Sequence, residues 1–186
     1  MSPSVQHVIL DRDGVLNREL ENGWLSRVDQ WEWEDGSLEA LGLFAAAGIE
    51  VSIVSNQSGI GRGVISGQAV DEVHQWLTAL LAATGIDLVG IFVCPHGPDQ
   101  GCDCRKPRPG LVEKAIESSG IEPERSMLIG DDLRDLEAGR AAGVEVALVR
   151  TGKGTGQGDA IGPDTLVFDN LLVAAGAILE RSQGSR

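Results

Sequence analysis

At 186 residues, with 42% hydrophobic and 23% charged side chains, the chain has the length and balance of one folded domain with a proper core. Its 28 acidic and 15 basic residues leave a formal net charge of -13, which repels nucleic-acid backbones and anionic membranes. No apolar run approaches the ~20 residues of a membrane span. Met1–Asp11 also lacks the basic-then-apolar order of a signal peptide, so the expectation is a cytoplasmic protein with neither nucleic acid nor membrane as partner.

In chain order, Val5–Leu10 is a short apolar run ending at Asp11 and reads as a buried strand. From Asn17 to Asp35 the pattern is irregular, with Trp31 and Trp33 alternating against Glu32 and Glu34, which suggests an extended excursion or flap. Ser37 is placed to cap a helix through Leu38, Leu41, Phe44 and Ala45, ended by Gly48. Ile49–Val54 forms the next strand and stops at Ser55. Ser66 caps a helix with Val70, Val73, Leu77, Leu80 and Leu81 on one face, and Gly85 closes it. Leu88–Val93 is a third strand. Pro109 suits the first turn of a helix through Val112, Ala115 and Ile116, ended at Gly120. Met127–Ile129 is a fourth strand, 133–142 a helix stopped by Gly143, and Val144–Val149 a fifth strand. A short strand near Leu166 and a helix from Asn170 complete a single domain over 1–181, with 182–186 as a loose tail.

Strands alternating with helices predict an α/β fold, a parallel sheet covered on both faces. Ligands in such folds collect at the carboxyl ends of the strands. Asp11, Ser55, Cys94 and Asp131 all fall at such ends, so four separate segments converge on one crevice.

Three groups of residues there carry chemistry. Asp11-Arg12-Asp13-Gly14 sets two carboxylates in a tight turn, able to divide labour between nucleophile and proton carrier, or to serve as an acidic helix cap. Gly130-Asp131-Asp132-Leu133-Arg134-Asp135 clusters further carboxylates, whose repulsion a hard cation such as Mg2+ would offset through Asp11 and Asp131. For Asp132 and Asp135 a helix-capping role is the competing reading. Positive charge comes from Arg105, Lys106 and Arg108, and backbone donors from Ser55-Asn56-Gln57-Ser58-Gly59-Ile60-Gly61-Arg62-Gly63. In so acidic a chain that pairing reads as a phosphate clamp.

A fourth group, Cys94, His96, Cys102 and Cys104, offers three thiols and an imidazole within eleven residues. That is the donor set of a closed, structural zinc site, with free thiols as the alternative. His7 and His74 stand apart and read as structural. The run Gly152-Lys153-Gly154-Thr155-Gly156-Gln157-Gly158 lacks the order of a phosphate loop and reads as a flexible surface loop.

Taken together, Asp11–Val15, then Ser55, then Lys106, then Gly130–Asp135 resemble the haloacid dehalogenase superfamily of phosphatases. Asp11–Asn17, Ser55–Gly63 and Cys94–Gly110 narrow the likeness to its histidinol-phosphatase-like subgroup, which acts on heptose bisphosphates and on histidinol phosphate. The resemblance spans about Val8 to Lys153. It implies a three-layer Rossmann-like parallel sheet with no large cap domain and a zinc-braced loop. It also implies that Asp11 attacks phosphorus and Asp13 shuttles the proton. Ser55 and Lys106 would hold the phosphoryl group, and Mg2+ would sit on Asp11, Asp131 and the Asp13 carbonyl. Asn17, Asn56, Gln57, Ser58, Arg62 and Arg105 would meet the rest of a small phosphate ester, with Trp24 near the mouth. Ser58, where histidinol enzymes tend to carry an acid, favours a doubly anionic sugar dephosphorylated at its 7-position. The alternatives are histidinol-phosphate hydrolysis and a zinc-braced binding module without catalysis. A monomer is expected.

Overall fold

The computed structural model describes residues 4–20, 23–157, 161–162 and 165–183. Six strands form one parallel sheet: β1 (His7–Asp11), β2 (Glu50–Asn56), β3 (Leu88–Cys94), β4 (Ser126–Gly130), β5 (Glu145–Val149) and β6 (Leu166–Phe168), in the order β3-β2-β1-β4-β5-β6. The chain leaves β1 for β2 on one side and returns to β4 on the other. The strand order therefore reverses beside β1, where α/β sheets open a crevice. Asp11 pairs with Val54 and Leu10 with Ile129, which fixes the ends of β1, β2 and β4 level with one another.

The helices are α1 (Ser37–Ala46), α2 (Ser58–Gly61), α3 (Gly67–Ala83), α4 (Gly110–Ser119), α5 (Leu133–Ala141) and α6 (Leu171–Gln183); all but α2 follow the predicted pattern, and α2 forms within the glycine-rich stretch read from the sequence as a loop of backbone donors. Strand alternation divides the core in two. Val8, Leu10, Ile53, Met127 and Ile129 pack with α1, α3 and α6 on one face, while Ile9, Val54, Leu128 and Leu148 pack with α4 and α5 on the other. No described helix is long and apolar enough to cross a membrane.

Local signals held unevenly. Ser66 does cap α3, its hydroxyl accepting from the Ala69 amide at 3.0 Å. Ser37 does not cap α1: Gly36 takes that position at φ 77°, and the Ser37 hydroxyl donates to the Leu16 and Glu34 carbonyls instead. Residues 182 and 183, expected to open a loose tail, belong to α6, and 184–186 lie outside the described residues. The flap between Asn17 and Asp35 is packed down, not open. Its Trp31 meets Trp33 and α3's Trp76 edge-on at 5.1 and 5.6 Å, a favoured aromatic geometry.

Candidate active site

The crevice at the switch point, about 170 Å³, is lined by Asp11, Asp13, Ser55, Asn56, Gln57, Ser58, Arg105, Lys106 and Asp131, and also by Glu19, Trp24, Asp132, Arg134, Asp135 and Lys153. At its floor Asp11 closes β1. Its Oδ1 accepts from the Arg12 amide at 2.8 Å and from Lys106 Nζ at 2.8 Å. Among the described residues no donor reaches Oδ2, so that oxygen is the one left to react. Lys106, nearly buried, spends its three protons on Asp11, on Asp135 at 2.6 Å and on the Val54 carbonyl at 3.2 Å. One lysine cannot neutralise Asp11, Asp131 and Asp135 together. Burial and the neighbouring carboxylates push Asp11 up to about 7, and burial, Asp11 and Asp135 push Asp131 up to about 8.

Those three carboxylates place ligand oxygens within 4.8 Å of one another. An all-oxygen, anionic donor set suits a hard divalent ion. Asp135 is already engaged, with Oδ1 on Lys106 and Oδ2 on the Asp132 amide, whereas Asp11 and Asp131 each have hydrogen bonds or ion pairs on one oxygen only among the described residues. Both readings of Asp135 hold at once: it completes the capping box of α5 and anchors the lysine.

Asp13 faces a different company. The Arg12 guanidinium, wholly buried, reaches both its oxygens at 2.9 and 3.0 Å, and Asn17 and Gln57 add amide donors at 3.0 and 2.8 Å. Burial would raise this carboxyl, but the Arg12 charge and these hydrogen bonds outweigh it and hold Asp13 below the usual range. Arg12 Nη1 in turn donates to His74 Nε2 at 2.8 Å. Arginine has no acceptor, so that imidazole nitrogen must be unprotonated. Nothing in the sequence singled out Arg12; only its place between two acids that need opposite treatment could have done so.

Several predicted substrate contacts fall elsewhere. Asn17 is wholly buried beneath Asp13 and lines no part of the crevice, because its amide serves Asp13 and the Arg18 carbonyl. Arg62 is exposed beyond α2 and also lies outside the lining. Asn56 exchanges two hydrogen bonds with the Lys106 backbone, each 3.1 Å, and Gln57 ties Ser55 Oγ to Asp13. These two line the crevice yet act on its other residues. Ser58, Arg105 and Trp24 remain available at the wall, with Trp24 packed over Gly59. Arg105 donates to the His96 carbonyl at 3.2 Å, and among the described residues no carboxylate pairs with it. A second cavity of about 370 Å³ shares Arg105, Lys106 and Arg134 with the first.

Sequence reasoning also missed the turn after β5. Residues 152–156 form a 3-10 turn against the site, not a flexible surface loop, and Gly158 lies outside the described residues. The Lys153 amide donates to Asp131 Oδ2 at 2.7 Å, and its ammonium pairs with Glu19.

Where β3 ends, Cys94, His96, Cys102 and Cys104 bring one ligand atom each within 4.8 Å of the others. Cys94 Sγ lies 3.8 Å from Cys102 Sγ and 3.6 Å from His96 Nδ1, and Cys104 Sγ lies 3.4 Å from the same nitrogen. A tetrahedron with zinc–sulfur bonds near 2.3 Å has S···S edges of about 3.8 Å and S···N edges of about 3.5 Å. The four residues fit that ion.

A family model described as HAD-hydrolase-like matches residues 103–174. The chain is 40% identical to the D-glycero-β-D-manno-heptose-1,7-bisphosphate 7-phosphatase of Pseudomonas aeruginosa over 93% of its length and 97% of the relative's. It is 40% identical to that of Pseudomonas putida, over 90% and 96%. The crystal structure of D,D-heptose 1,7-bisphosphate phosphatase from B. bronchiseptica, complexed with magnesium and phosphate, superposes with a TM-score of 0.87 at 36% identity, covering 95% of this chain and 99% of the other. The parallel sheet, the paired carboxylates at its switch point and these likenesses agree. The chain belongs to the haloacid dehalogenase superfamily, within the family of D-glycero-β-D-manno-heptose-1,7-bisphosphate 7-phosphatases.

Proposed function

We propose that the chain is a Mg2+-dependent phosphomonoester hydrolase that removes the 7-phosphate of a D-glycero-D-manno-heptose 1,7-bisphosphate through a phosphorylated Asp11. The observation that carries this reading is the state of Asp11, which is held on one oxygen by Lys106 and the Arg12 amide and left open on the other. Asp11, Asp131 and the Asp13 carbonyl would hold magnesium, which when bound would supply charge neutralisation for a carboxylate meeting an anionic phosphoryl group.

The chain's residues then do the following. Asp11 Oδ2 bonds to phosphorus while the bond from phosphorus to the sugar oxygen breaks, and Ser55 and Lys106 hold the phosphoryl oxygens. Asp13 gives its proton to the departing alkoxide. In the structure that carboxyl sits low, as suits the later step, in which it takes a proton from the water that cleaves the aspartyl-phosphate. For the first step, the incoming phosphate's negative charge raises the proton affinity of Asp13 and loads it. Arg105, without a carboxylate partner among the described residues and open to the second cavity, suits the remaining anion, and Ser58 adds no charge to repel it. Cys94, His96, Cys102 and Cys104 would hold zinc, which when bound would brace the loop that presents Arg105 and Lys106. Cytoplasmic residence, where thiols stay reduced, suits such a site.

The test is hydrolysis of the heptose 1,7-bisphosphate with Mg2+, with the surviving phosphate assigned by phosphorus NMR. Asp11→Asn should lose ~10⁴-fold or more in kcat, and acid-quenched wild-type protein should carry phosphate on Asp11. Absence of turnover on this sugar and on histidinol phosphate would leave the zinc-braced binding module as the better reading.

A further inference from the structure

We infer that the turn Thr151-Gly152-Lys153, at the exit of β5, positions Asp131 for the divalent ion and thereby sets the protein's Mg2+ affinity. The inference rests on the metal reading proposed above and extends it to Thr151 and Gly152, which do not line the crevice.

Three contacts build the case. The Lys153 amide donates to Asp131 Oδ2 at 2.7 Å. The Thr151 hydroxyl donates to the Gly14 carbonyl at 2.6 Å, which ties this turn to the loop that follows Asp11. Between those bonds, Gly14 and Gly152 close on the same carboxylate oxygen from two sides. A Cβ added to either would stand 2.2 Å from Asp131 Oδ2, and one on Gly152 would stand 2.7 Å from the Gly14 Cα. Both glycines have positive φ, 85° and 50°, which side chains disfavour. Asp131 Oδ2 therefore has one backbone donor and no room to swing. Its orientation is fixed before an ion arrives, so binding need not spend free energy ordering it. The glycines of this stretch are thus not all alike: nothing lies within 4 Å of a Cβ at Gly156.

Orienting partners of metal ligands are typically worth 10- to 100-fold in affinity. Gly152→Ala should therefore raise the Mg2+ dissociation constant by roughly that factor, read by calorimetry in the absence of substrate. At saturating Mg2+, kcat should return to within a few-fold of the wild-type value, since the turn does not touch the reacting atoms. Because Gly152→Ala also strains the backbone, Thr151→Val provides a second reading. It should weaken Mg2+ binding by several-fold, Thr151→Ser should restore it, and Gly156→Ala should leave it unchanged. Unaltered Mg2+ affinity in both Gly152→Ala and Thr151→Val would overturn the inference. So would an equal loss in Gly156→Ala, which would mark general damage to the turn. Asp131→Asn separates the two levels: if it leaves Mg2+ binding intact, the metal reading itself fails; if it abolishes binding while the turn variants do not, only the positioning role fails.

Discussion

Arg12 shows how one buried cation can organise an active site without entering it. Its guanidinium holds Asp13 by both oxygens and rests on His74 Nε2. Arg12→Leu would strip the partly exposed Asp13 carboxylate of its charged partner and leave it the Asn17 and Gln57 amides alone, and denaturant unfolding should read a loss of about 1–3 kcal/mol. Asp11 and Asp131 are shifted the opposite way from Asp13. With their proton affinities lifted to about 7 and about 8, both are partly protonated in the metal-free protein at neutrality. Mg2+ must displace those protons, so its apparent affinity rises with pH through 7 and 8 and levels off above. Calorimetry should find tenfold or more between about pH 6 and pH 8, and a flat profile would contradict the assigned ligands. The carboxylates were legible in the sequence because strand ends and glycine turns announce them. Asn17, Asn56 and Gln57 were not legible as supporting residues. An amide in a motif has the same letter whether it faces a substrate or a neighbouring side chain, and only the fold decides.

At the scale of elements, the strands and the helices other than α2 were legible because the apolar runs stop at or within one residue of Asp11, Ser55 and Asp131, and α1, α4 and α5 stop one or two residues before Gly48, Gly120 and Gly143. The turn after β5 was not. Gly152–Gly156 carries no periodicity, and its order comes from Asp131, 22 residues earlier in the chain. The cysteine loop was readable as a ligand set, since four soft donors at short range have few other uses. Burial pushes the Cys94 thiol up to about 12, so zinc uptake must release protons and strengthens as pH rises. Purified protein should contain about one zinc per chain by mass spectrometry. Stripping it with a strong chelator should lower kcat/KM more than Asp11 chemistry alone requires, because Arg105 and Lys106 follow the loop directly. Full kcat/KM in zinc-free protein would remove the bracing role.

For the whole molecule, acid is the predicted weakness. His7, the first residue of β1, is wholly buried. The Ser119 and Ser126 hydroxyls near its Nδ1 already donate to the Ile116 and Glu122 carbonyls, so Nδ1 carries the proton and Nε2 accepts from Ser52 at 2.8 Å. Burial lowers His7 to about 4, and burial with the Arg12 charge lowers His74 to about 4. Unfolded histidines bind protons near 6.5, so their contribution is complete above that pH and drains away as pH falls toward 4. For His7 it amounts to up to about 3 kcal/mol. Urea midpoints measured from pH 7 to 4 should fall accordingly, and His7→Gln should flatten part of the slope.

The strand order has a further consequence in time. Asp11 lies in the first strand and Asp131 beyond the fourth, 120 residues later in synthesis. At about 5–20 residues per second, a ribosome exposes the strand of Asp11 roughly 6–24 seconds before its second neighbour exists. A nascent chain halted after α4 would hold Asp11 and the cysteine loop, yet lack Asp131 and leave one bare edge of β1 open to foreign strands.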